Sequence, residues 1–158
     1  VGIKGLSKFI KKVEKIKKFT DKEFEKTLQD IARETNQQLI NFTRYISGTA
    51  RNSWEATIGS PTNLSPDILP PPTANSSPVI QTITRLAIQK NNRVIATWDG
   101  EKALFLASNL HYIKELEEGG KTIRRANHMV FKTEQVMEPY IKEQLALLER
   151  KINLIWNS

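Results

Sequence analysis

Asn109-Leu-His-Tyr-Ile-Lys-Glu-Leu-Glu-Glu-Gly-Gly-Lys-Thr-Ile-Arg-Arg-Ala-Asn-His-Met-Val130 packs three unlike elements into one short stretch. The apolar run from Ala103 to Ala107 leads into it and reads as a buried strand. Tyr112, Ile113 and Leu116 then carry one turn of helical spacing. Gly119 and Gly120 end that turn, because glycine enters the left-handed region without a Cβ penalty. Lys121, Arg124 and Arg125 form a basic loop before the chain turns apolar again at Met129. Strand, helical turn and exposed loop in succession specify α+β structure. A loop held at both ends by core elements more often meets a partner than fills a core.

Working outward, Met137, Ile141, Leu145, Leu148, Ile152 and Ile155 recur at heptad-like intervals from about Glu134 and predict a long C-terminal helix. Pro139 lies inside it, so either the helix begins near Glu138 or an earlier helix from about Phe131 kinks there. On the other side, Asp99-Gly100 reads as a hairpin turn between the 103–107 strand and a strand over Arg93–Asp99, in which Val94, Ala96 and Trp98 alternate with Ile95 and Thr97. Val79, Ile80, Ile83, Leu86 and Ala87 predict a helix that opens after Pro78 and ends at Asn91-Asn92.

Ser60 to Pro78 holds six of the seven prolines, a density that no helix or central strand survives. An extended arm reaching a neighbouring subunit and a flexible surface excursion both fit it. Arg51 to Gly59 alternates as a strand, with Trp54, Ala56 and Ile58 on one side and Ser53, Glu55 and Thr57 on the other. Phe24, Leu28, Ile31, Thr35, Leu39, Phe42 and Ile46 trace one stripe of a long helix, capped at Thr20 or Asp21 and broken by Gly48. Such a helix lies across a sheet or another helix. The fold class is therefore α+β: a small antiparallel β-sheet flanked by helices, with a long N-terminal helical region and a long C-terminal helix.

The net charge of +7 and pI near 9.7 come from one place. Lys4, Lys8, Lys11, Lys12, Lys15, Lys17 and Lys18 face only Glu14 in the first 18 residues, which leaves the rest of the chain nearly neutral. Leu6, Phe9, Ile10, Val13 and Ile16 share one helical face there. Residues 1–19 thus form a basic amphipathic helix, and residues 20–158 a single α+β domain with a Pro-rich loop at 60–78. Lys8, Lys11, Lys12, Lys15 and Lys18 are the candidates for an anionic partner. The helix can pack on its own domain with a solvated lysine face, dock on a protein neighbour, or meet phosphates or an anionic membrane. No aromatic or arginine readers interleave the lysines, which argues against nucleic-acid readout.

With 158 residues, 39% hydrophobic and 26% charged, the composition suits one soluble domain with a sizeable core. No run approaches the roughly 18 to 20 apolar residues of a membrane span, and the start lacks the apolar region of a secretory signal. Cytosol-like conditions are expected. Zero cysteines exclude disulfides, thiolate metal sites and thiol nucleophiles. His111 and His128 lie far apart with no ligand spacing around them, and neither phosphate-cradling glycine loop nor Gly-x-Ser-x-Gly occurs. Glu115, Glu117 and Glu118 are adjacent acids of the kind usually solvated or paired with lysine. No cofactor, metal or catalytic residue is expected.

Two segments together resemble one known family. Tyr45-Ile-Ser-Gly-Thr-Ala-Arg-Asn-Ser-Trp54 resembles the Asp-Thr-Gly-x-Leu-Arg-x-Asn/Ser-Trp signature of tail-completion or neck proteins of long-tailed bacteriophages. Gly48, Arg51 and Trp54 match, Ser47 substitutes for Thr, and Ile46 and Ala50 depart from Asp and Leu. Asn109, Tyr112, Leu116, Glu117 and Gly119 match the family's Asn-x-x-Tyr-Ala-x-x-Leu-Glu-x-Gly motif, and Met129-Val130 matches its Met-Val after the basic loop. The resemblance runs from about Gln38 to the C-terminus and leaves out the lysine-rich start. It implies a virion structural protein of the head-tail junction with no catalytic residues, assembled in the host cytoplasm. The implied assembly is a homo-oligomeric, hexameric ring around the channel through which DNA passes without sequence-specific binding. Its implied neighbours are other neck or connector proteins and the tail tube or terminator. A tail terminator or minor tail protein of related fold is an alternative within that class. A nucleic-acid-binding module using the lysine-rich helix is the alternative outside it.

Overall fold

Two helices set the length of the protein. The computed structural model describes residues 6–45, 48–66 and 77–157, with side chains from Ile10 onward. Helix α1 spans Leu6–Phe42, 37 residues without a glycine or proline, and is about 55 Å long at ~1.5 Å per residue. The last helix, α5, spans Met129–Trp156. The two run antiparallel along most of their length. Asn127 meets Phe42, Thr35 and Met137 line one groove, Lys151 pairs with Glu23, and Val13 and Trp156 line another groove.

The helix start expected at Thr20 or Asp21 lies inside α1, so the basic segment and the long second helix are one element. A cap is worth only about 1 kcal/mol. Helix α5 runs alongside both halves of α1, and that favours continuation over a break.

The buried face of α1 also differs from the apolar stripe. Ala32, Asn36, Leu39, Ile40 and Thr43 are buried together, with Thr27 buried half a turn round the helix from them, whereas Phe24 is 47% exposed and Leu28 and Ile31 are half-buried. Small and polar residues on that face allow close approach of the next long helix, whose Ile88 carbonyl accepts from Asn36 Nδ2 at 3.2 Å.

Between the long helices lie α2 (Thr49–Asn52), β1 (Glu55–Ile58), α3 (Ser77–Ile95), β2 (Leu104–Ala107) and α4 (Ile113–Glu118). The strand expected over Arg51–Gly59 is thus shorter, with Arg51 in a helical turn. The alternation is kept only in part: Trp54 and Ala56 are buried with Glu55 and Thr57 half-buried between and after them, but Ile58 is also half-buried and Ser53, expected on the other side, is buried. Strands β1 and β2 pair antiparallel with Glu55 opposite Ala107 and Ile58 opposite Leu104.

The strand expected over Arg93–Asp99 does not form. Helix α3 continues through Asn91-Asn92 to Ile95, and Asp99-Gly100 turns from the helix exit towards β2 instead of joining two strands. The reason is long-range. Asn91, 1% exposed, accepts from Ala56 N–H at 3.0 Å and donates to Asn36 Oδ1 at 2.8 Å and the Trp54 carbonyl at 3.1 Å. An asparagine whose amide is satisfied across the core has no need to end its helix. Of the two starts considered, the earlier holds: helix α5 begins at Met129, close to Phe131, and continues through Pro139. Of the Pro-rich loop, residues 67–76 lie outside the described residues, as do Ile46 and Ser47.

The core gathers where the short elements meet the long pair. Leu39, Ile40, Trp54, Leu110, Leu116 and Met129 form its centre, and Ala32, Ala56 and Ile95 a smaller cluster beside it. Among the described residues no helix is long and apolar enough to cross a membrane.

Candidate functional site

Both segments of the family resemblance lie against the C-terminal end of α1. Helix α1 ends with carbonyls that need donors. Arg51 supplies them from α2: its Nε donates to the Thr43 carbonyl at 2.8 Å and its Nη1 to Thr84 Oγ1 at 2.7 Å, while the guanidinium lies 5.6 Å from the Tyr45 ring centroid. Burial lowers the Arg51 pKa without discharging it at neutral pH. Trp54 Nε1 donates to Thr43 Oγ1 at 2.9 Å, which fixes the indole in the core. Gly48 precedes α2 at φ +88°, and a Cβ there would stand 3.0 Å from Ile83 Cγ2. The first motif is therefore a closure of the α1 end.

The second motif closes the same junction from the other side. Asn109 Nδ2 donates to the carbonyls of Thr62 at 2.8 Å and Leu64 at 3.2 Å, and so anchors the described start of the Pro-rich segment. Tyr112 is half-buried, edge-on to His111 at 5.0 Å, with its pKa raised by burial. Leu116 is fully buried. The Glu117 carboxylate accepts from Val130 N–H at 2.9 Å and Phe131 N–H at 3.2 Å, placing negative charge on the first turn of α5.

Gly119, at φ +81°, ends α4 and donates to the Glu115 carbonyl at 2.8 Å. Gly120 has no room for a Cβ, which would lie 2.7 Å from Glu115 Cγ. The Glu115 carboxylate meets the Thr122 and Ile123 N–H groups at 3.3 Å, so the loop after Gly120 folds back on α4. Lys121, Arg124 and Arg125 project from that loop and are exposed, whereas Met129 is fully buried.

Asn127 completes the clamp, and sequence reasoning missed it. Its backbone N–H donates to the Leu116 carbonyl at 2.6 Å, its Nδ2 to the Phe42 carbonyl at 2.7 Å, and its Oδ1 accepts from Arg44 N–H at 2.6 Å. One side chain thus joins the loop to the end of α1. Nothing local marks it, because its partners lie more than 80 residues away.

The lysine candidates form a separate surface. Lys11, Lys12, Lys15 and Lys18 are exposed on the N-terminal part of α1, roughly 36 Å or more along the helix from Phe42. The Lys8 side chain lies outside the described residues.

A groove of about 530 Å³ runs between α1 and α3 and is lined by Gln37, Asn41, Arg51, Thr84, Arg85 and Gln89 among others. Its polar lining is amide, hydroxyl and guanidinium. No group of three or more His, Asp or Glu able to hold a metal gathers among the described residues. Comparison with known protein families, curated proteins and solved structures finds no significant match. The resemblance to neck proteins therefore rests on the motif residues themselves.

Proposed function

We propose that the chain is a virion structural protein of the bacteriophage neck, a tail-completion or head-tail joining subunit that assembles into a homo-oligomeric, hexameric ring around the DNA channel. The observation that carries this reading is convergence. Two motif segments more than 50 residues apart meet at one junction, where Ala50, Trp54, Leu110, Leu116 and Met129 share a core cluster. Arg51, Glu117 and Asn127 spend their polar groups on backbone closure there and hold a basic loop in a fixed outward position. A motif built this way stabilises a presented loop, which suits subunit contacts in a closed ring. In this reading Lys121, Arg124 and Arg125 meet carboxylates of the adjacent subunit.

The test is the mass and shape of the purified protein. Light scattering and negative-stain imaging are expected to show closed rings, and the triple charge reversal Lys121→Glu, Arg124→Glu, Arg125→Glu to yield folded monomers with unchanged circular dichroism. A wild-type chain that stays monomeric at high concentration and is absent from assembled necks overturns the proposal.

A further inference from the structure

The first third of α1 and the last third of α5 project beyond the core as a two-helix arm. Every residue from Ile10 to Lys26 keeps at least partial exposure, and after Met137 only Leu148 of α5 is buried. The sheet and α3 meet α1 farther along: Gln29 Nε2 donates to the Trp98 carbonyl at 2.8 Å, and Asn36 reaches Ile88 and Asn92. Lys151 to Glu23, at 2.9 Å, ties the two helices of the arm to each other.

Two helices bury only one stripe each, and this pair carries more apolar surface than that stripe uses. Ile10 is 47% exposed, Leu145 45%, Trp156 59% and Leu154 72%. At about 25 cal/mol per Å² such exposure favours a covering partner. The arm also has a defined recess. Near its tip, a groove of about 240 Å³ is lined by Lys12, Val13, Ile16 and Trp156, and an adjoining one of about 390 Å³ by Lys11, Lys12, Lys15, Ile16 and Ile155.

We infer that this recess is a docking site for an amphipathic helix of another protein, one whose apolar ridge is flanked by Asp and Glu. Charge complementarity selects the occupant. Lys11, Lys12, Lys15, Lys17 and Lys18 face only Glu14 among residues 10–18 of α1, so an isologous second copy would set lysine against lysine. A nucleic-acid backbone would neutralise the lysines and leave Val13 and Trp156 in water. A bilayer meets a convex apolar face, whereas this floor is concave and narrow, the shape that receives a helical ridge. The third helix would complete a three-helix bundle around the arm. This site is remote from the loop after Gly120 and does not depend on ring assembly.

Fluorescence anisotropy on the full chain tests it, with three labelled probes. The first is a synthetic 18-residue helix with Leu at i, i+3, i+4 and i+7 spacing and Glu on its other faces; the second is a scramble of the same composition; the third is a 20-base-pair DNA duplex. Sedimentation with anionic phosphatidylserine vesicles adds a fourth arm. The ordered acidic helix is expected to bind at least tenfold more tightly than the scramble, and to shift tryptophan emission to the blue as Trp156 is covered. The surface variants Lys12→Glu with Lys15→Glu, and separately Trp156→Ser, are each expected to weaken it at least tenfold while circular dichroism stays unchanged. Equal binding of helix and scramble, absence of binding, or binding confined to DNA or vesicles overturns the inference. Oligomeric mass measured on the same samples reports the ring reading independently.

Discussion

Replacing Asn91 by alanine is expected to destabilise the protein by about 3–5 kcal/mol. The Asn91 side chain does the work of a missing strand: its Oδ1 takes the Ala56 N–H and its Nδ2 serves the Trp54 carbonyl, the donor and acceptor that β1 turns away from β2. The alanine variant leaves the buried Ala56 N–H without its partner, at about 1–3 kcal/mol. It also strips a donor from Asn36 Oδ1 and from the Trp54 carbonyl, and the lost amide leaves a small void.

For a chain of this length, each kcal/mol moves the melting temperature by roughly 2–4 °C, so a fall of roughly 6–20 °C is expected. Urea unfolding followed by tryptophan fluorescence and circular dichroism measures the free energy. Asn91→Asp keeps the acceptor but loses both donors, and is expected to lose a similar amount. Once Asn91 is alanine, adding Asn36→Ala is expected to cost less than Asn36→Ala does alone, by about 0.5–3 kcal/mol, because the two amides share a bond. A loss below about 1 kcal/mol for Asn91→Ala refutes the edge-closing role.

Glu117→Ala removes the acceptor from two N–H groups of the first turn of α5, and a loss of about 1–2 kcal/mol in urea unfolding is expected. Pro139→Ala acts in the opposite sense: proline inside α5 denies the helix a backbone donor, so the variant is expected to gain about 1–3 kcal/mol, read as a higher urea midpoint. The Glu23 carboxyl is held below its ordinary value of 4.5, first by the hydrogen bond from Lys151. A depressed folded pKa means that the pairing contributes above the unfolded value and is lost as pH falls through the folded one. Carbon-detected NMR titration should therefore show Glu23 moving back towards 4.5 in Lys151→Met; an unchanged midpoint would contradict the pairing of the arm.

The elements legible in the sequence are those whose signals are local. The 104–107 strand, which is half-buried and not buried as its apolar run suggested, the turn of helix before Gly119, the exit at that glycine and the terminal helix all follow from apolar spacing and backbone sterics within a few residues. The misreadings share one cause. Asn91-Asn92 resembles a helix end, and Val94, Ala96 and Trp98 resemble a strand, until Asn36, 55 residues earlier, takes up the Asn91 amide. On α1 the largest apolar residues suggested the buried face, yet Ala32 and Asn36 are buried, and the Asn36 amide reaches the Ile88 carbonyl of α3 there. At the candidate site the motif residues were visible one by one. Their shared task was not, because Arg51, Glu117 and Asn127 all act on backbone groups that only the fold brings near.

The unbroken course of α1 gives the molecule a lever. With neither glycine nor proline from Leu6 to Phe42, the helix has no built-in hinge between the lysine-bearing tip and the Asn127 clamp. The antiparallel α5 carries its proline about a third of the way along, so one rod is stiff and its companion has a single point of give.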